Sequence, residues 1–115
     1  MTDILYHLVP ADYWEGQPAD RPYLPADYTR EGFIHCTRGD ELLVVVANRY
    51  YRDDPRKLLV LVLDADGITS EIKYEAGHDG VLYPHIYGPL NRDAIIEVCQ
   101  MPRSLDGAYQ LLTRS

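Results

Sequence analysis

Apolar positions along this chain fall into short runs separated by proline, glycine and acidic residues, and the period of the runs changes from place to place. Ile4 to Val9 is an apolar stretch closed by Pro10, and its length and composition predict a strand. Ala11 to Glu15 has room for one or two helical turns before Gly16. Pro18, Pro22 and Pro25 then forbid a persistent helix or central strand, so residues 16–30 are expected to be irregular. Gly32 to Thr37 reads as a second strand, with Phe33, His35 and Thr37 on one face and Ile34 and Cys36 on the other. Leu43, Val46, Ala47 and Tyr50 recur at i, i+3, i+4 and i+7, predicting a core-facing helix that Thr37 could cap and that ends near Asp53-Asp54-Pro55.

Lys57 to Leu63 is apolar without alternation, as in a central strand buried on both faces. A turn at Asp64 to Gly67 leads to Glu71–Glu75, which alternates as a half-exposed strand, and then to a flexible loop at residues 76–80. Val81 to Tyr83 is strand-like, whereas the prolines of Pro84 to Leu90 predict an irregular path. Ala94 to Cys99 is a last strand, and Leu105 to Leu112 a short terminal helix. Strands outnumber helices without regular alternation, so the expectation is an α+β domain spanning residues 1–115, with largely antiparallel pairing.

Charge narrows the partners. With 11 Lys and Arg against 18 Asp and Glu, the formal net charge is −7, which argues against duplex DNA and anionic membranes. The longest apolar run, Leu58 to Leu63, is far short of the roughly 20 residues that cross a bilayer, and no basic start precedes an apolar signal core. The expectation is a cytoplasmic protein, monomeric or weakly dimeric. The 2 cysteines, Cys36 and Cys99, show neither a disulfide framework nor a paired zinc motif, and no metal site is expected. Ten tyrosines against one Phe and one Trp place polar-tipped rings at surfaces or along a cleft.

Chemistry centres on His7, His35, His85 and Arg49. A histidine in a strand serves more often as a hydrogen-bonded structural residue than as a catalyst, and Arg49 could simply pair with Asp53 at helical spacing. Three histidines in strand-like or proline-fixed segments nevertheless predict one shared concave site. His85 could act as a general base, and Arg49 could hold a phosphate by its bidentate fork. His78 is assigned to solvent. Cys36, diverging from His35, is expected in the core and unreactive.

Ile4 to Val9, Gly32 to Thr37, Ala47 to Tyr51 and above all Pro84-His85-Ile86-Tyr87-Gly88-Pro89-Leu90 resemble the small bacterial family known as domain of unknown function 952, from Ile4 to about Val98. That family is similar in fold to ADP-ribosyltransferases and RNA 2′-phosphotransferases, so the resemblance implies a mixed, mostly antiparallel split sheet with few helices and a cleft for NAD or an ADP-ribose-like group. Leu5-Tyr6-His7 looks like the strand that gives those enzymes a nucleotide-binding histidine, and His35-Cys36-Thr37 and Arg49 stand in places similar to those of the phosphotransferases. The chain departs from the pattern in having Leu8-Val9 after the first histidine, Tyr50 after Arg49, and no glutamate between residues 81 and 90.

Together these readings assign His35 and His85 to catalysis and His7, Thr37, Arg49, Tyr6, Tyr83 and Tyr87 to a phosphorylated ligand, with NAD as the candidate cofactor and glycosyl or phosphoryl transfer as the candidate reaction. The alternative is a non-catalytic binding or protein-interaction module.

Overall fold

A computed structural model describes residues 3–112. Its strands are β1 (Ile4–Pro10), β2 (Ile34–His35), β3 (Leu58–Asp64), β4 (Glu71–Ala76), β5 (Leu82–Tyr87) and β6 (Ile95–Gln100). The helices are α1 (Ala11–Glu15), α2 (Tyr28–Glu31) and α3 (Asp40–Tyr51). Two three-stranded sheets, ordered β1-β3-β6 and β2-β5-β4, are antiparallel throughout, so the α+β architecture stands without the parallel pairing that a mixed sheet requires. The sheets meet where Tyr6 and Thr37 exchange two backbone hydrogen bonds of 2.8 Å.

Strand alternation assigns the cores. On β1, Leu5 and Val9 pack with Tyr23, Ile34, Cys36, Leu61 and Ile86 between the two sheets. Tyr6 and Leu8 point the other way, toward Leu43 and Ala47 of α3 and toward Met101 and Tyr109. The continuous apolar run of β3 feeds both cores and is buried from Leu58 to Leu63, as a central strand covered on both faces must be. Cys36 is buried, as its shared face with Ile34 implied.

Several local expectations are corrected. Thr37 does not cap α3: the helix starts after Gly39, which takes φ 102°, while Thr37 is buried and bound to β1 through its backbone. Only Leu43 and Ala47 of the expected stripe are fully buried; Val46 is partly buried and Tyr50 is exposed. Pro84 to Tyr87 is regular strand, because Pro84 lies opposite Tyr74 and accepts a hydrogen bond from the Cys36 N–H on its other side. Lacking an N–H, Pro84 can return none to Cys36, and β2 ends at His35. Residues 16–30 include the start of α2 and a fully buried Tyr23, bridged to Leu90 by bonds of 2.8 and 3.0 Å. Tyr6 and Tyr109 are buried too. Residues 105–112 form no helix: Gly107 takes φ 94° and the chain folds back through an Arg103–Tyr109 bridge.

Candidate functional site

Sheet β2-β5-β4 is two-faced. Ile34, Ile72 and Ile86 turn toward the core, while alternation sends His35, Tyr83, His85, Tyr87, Lys73 and Glu75 to the opposite face. His35 and His85 are direct cross-strand partners, and their rings lie 5.3 Å apart at 73°. Phe33 stacks on His85 at 4.0 Å and touches His35 at 4.6 Å, fixing the ring plane of one and flanking the other.

His85 is held from β4. Its Nδ1 donates to Glu75 Oε1 at 2.8 Å, because an ionised carboxylate can only accept. The same oxygen accepts the Tyr87 hydroxyl at 2.5 Å. Tyr87 first and His85 second hold the Glu75 carboxyl below its usual range, and the carboxylate in turn pushes the Tyr87 phenol up. His85 is 8% exposed, and among the described residues no buried side-chain nitrogen or oxygen lacks a hydrogen-bond partner. With Nδ1 spent on Glu75, Nε2 is the nitrogen left to meet the adjoining cleft. His35 is exposed, with Nε2 3.7 Å from Glu31; partial burial lowers its pKa against the opposing pull of Glu31.

That cleft encloses about 930 Å³ and is bordered by β1, α3, the approach to α2 and the β5 face. His7, His35, His85 and Arg49 all border it, together with Tyr6, Thr37 and Tyr83. Tyr87 does not border it and acts on the site through Glu75. His78, exposed in its loop, reaches the rim. Arg49 pairs with Asp79 at 3.1 Å across the cleft instead of with Asp53. Asp79 also accepts the Tyr83 hydroxyl at 2.6 Å and the Val81 N–H at 3.0 Å, and these contacts, Tyr83 foremost, draw its carboxyl down to about 2.

His7 plays a different part. Nδ1 donates to the His35 carbonyl at 2.6 Å, which leaves Nε2 to accept the Tyr23 hydroxyl at 2.8 Å. Burial lowers its pKa to about 4, so it stays neutral and pins β1 to β2 and to the 16–30 segment. Tyr6 is likewise committed, its hydroxyl donating to Asp40 at 2.5 Å. Among the described residues no group of three His, Cys, Asp or Glu is placed to hold a metal ion.

Residues 8–98 match the family described as Protein of unknown function (DUF952). The chain belongs to this family. The crystal structure of protein CC0527 from Caulobacter crescentus has a TM-score of 0.79 at 24% identity, covering 93% of each chain. The solution NMR structure of CC0527 has a TM-score of 0.76 at 24% identity, covering 93% of this chain and 91% of that one. At this identity the likeness establishes a shared fold. Among curated proteins no match is found. No helix among the described residues is long and apolar enough to cross a membrane.

Sequence reasoning for this DUF952 chain missed Glu75, Asp79 and Phe33. Glu75 lies ten positions before His85 and reaches it only through the β4–β5 register, which places Lys73 opposite His85 and Glu75 diagonal to it. The alternation of residues 71–75 was readable, but not which strand they would face.

Proposed function

We propose that the cleft binds a nucleotide or another phosphorylated small molecule and that His85 is its proton-moving group. The observation that carries this reading is that Arg49 from α3 and the Glu75-held His85 from β5 border the same tyrosine-lined space. A phosphate would draw the Arg49 guanidinium from Asp79 into a charge-assisted, bidentate contact. Tyr83 and the neighbouring Tyr50 and Tyr51 offer ring surface to a base or other planar group. A volume of about 930 Å³ falls in the range of pockets that enclose small-molecule ligands.

NAD chemistry of the ADP-ribosyltransferase type needs a carboxylate beside the ribose. Glu75 is the carboxylate bonded to His85, yet its Oε1 already accepts from both His85 and Tyr87, and Glu75 does not border the cleft. The arrangement therefore suits phosphate recognition and proton transfer better than stabilisation of an oxocarbenium ion. We test the reading by thermal stabilisation with adenosine monophosphate, ADP-ribose, NAD and inorganic phosphate. A true ligand at 100 times its Kd should add about 2.7 kcal/mol. His85→Ala should then spare affinity and reduce any turnover about 100-fold; a binding module would show affinity without turnover.

A further inference from the structure

We propose that His35 and His85 form an acid–base pair that transfers phosphoryl within a phosphodiester bearing a neighbouring hydroxyl, as a ribonucleoside phosphodiester does. This rests on the reading of the cleft as a phosphate site. Two imidazoles 5.3 Å apart on paired strands border one cavity, and their environments differ. His85 is enclosed, stacked on Phe33 and bonded to Glu75 at 2.8 Å, so a carboxylate offsets positive charge on that ring. His35 is exposed, and its carboxylate neighbour Glu31 stands off at 3.7 Å while also lying 3.5 Å from Arg30. Unequal surroundings suit one ring to hold a proton and the other to take one.

Cys36 and Thr37 border the cleft beside the two histidines, and both are buried. Burial pushes the Cys36 thiol up. In the proposed step the attacking oxygen is the ligand's own neighbouring hydroxyl. His35, unprotonated, takes the hydroxyl proton as that oxygen forms its bond to phosphorus. The phosphorus–oxygen bond to the leaving alcohol breaks, and the protonated His85 gives its Nε2 proton to the departing oxygen. A cyclic phosphate and an alcohol result, and proton exchange with solvent resets both rings. The titratable and charged groups around the pair are Asp27, Arg30 and Glu31 before and within α2, His7 on β1, Lys73 and Glu75 on β4, and Tyr83 and Tyr87 on β5.

The test offers the whole protein uridylyl-adenosine, its 2′-deoxy analogue, and uridine 3′-(4-nitrophenyl phosphate), whose leaving group needs no acid. The ribo dinucleotide should yield a cyclic phosphate with a bell-shaped pH profile of kcat/KM, and the deoxy analogue should bind without reacting. His35→Ala should lose about 100-fold on both reactive substrates, whereas His85→Ala should lose about 100-fold on the dinucleotide and only a few-fold on the nitrophenyl ester. Glu75→Gln, which keeps a hydrogen-bond acceptor for Nδ1, should lower kcat on the dinucleotide more than on the nitrophenyl ester, a split that mere support of the fold does not produce. Binding of the deoxy analogue with no turnover of the ribo dinucleotide overturns the acid–base pair and leaves the phosphate-binding reading intact. Absence of both binding and turnover overturns both. Equal cleavage of the deoxy analogue overturns the internal nucleophile.

Discussion

Tyr23 and His7 form a hydroxyl-to-imidazole hydrogen bond of 2.8 Å with both residues buried. Because the other His7 nitrogen donates to the His35 carbonyl, Tyr23 is the group that satisfies Nε2. Tyr23→Phe keeps the ring that packs against Trp14 and Tyr13 but strands a buried acceptor. The expected cost is roughly 1–3 kcal/mol, measured by urea unfolding at pH 7. A loss below a few tenths would mean that water replaces the hydroxyl.

The same histidine makes stability depend on pH. Its folded pKa of about 4 lies below its ordinary 6.5, so the unfolded chain binds the extra proton first. Stability from this group is intact above pH 6.5 and falls as pH drops toward 4, by roughly 2 kcal/mol at pH 5. His7→Gln should flatten the slope between pH 7 and 5 while lowering stability overall. An unchanged slope would assign the pH dependence to another group.

Much of this was legible because β1, β3 and α3 carry their own periodicity: a run with no polar break for β3, and Leu43 with Ala47 for α3. What was not legible depended on pairing between strands. Pro84 reads as a breaker, yet it occupies a strand position where the neighbouring strand ends, so its missing N–H breaks no ladder. The partners of His85 and Arg49, Glu75 and Asp79, come from β4 and the loop after it, and no local rule links them. His7 borders the cleft, but a strand pattern cannot show that both its nitrogens are taken.

Gly88 follows β5 with φ 148°, and a Cβ there would collide with the Ser70 side chain, whose hydroxyl donates to the Pro89 carbonyl at 2.7 Å. Gly88→Ala should therefore lower stability by about 1–3 kcal/mol through strain and overpacking, checked by thermal unfolding. A neutral outcome would show that Ser70 can move aside at little cost.

Cys36 should resist labelling by a thiol reagent in the folded protein, since burial pushes its thiol up and covers it. Cys99, only partly buried, should react first. Mass spectrometry of the native protein at successive times gives the order, and early modification of Cys36 would reverse the assignment of the two faces of β2.

The cleft reading turns on Arg49, which borders the same cleft as the histidine pair and belongs to neither core. Titrating the wild type and Arg49→Ala with the ligand that stabilises the protein most, followed by calorimetry and by the imidazole signals of His35 and His85, examines it directly. Loss of a charge-assisted phosphate contact should weaken binding by roughly 1.5–3 kcal/mol, or about 10- to 100-fold, with unfolding unchanged and both imidazoles shifting on saturation of the wild type. Equal affinity in the two proteins, or binding that leaves both histidine signals in place, would contradict a phosphate site in this cleft.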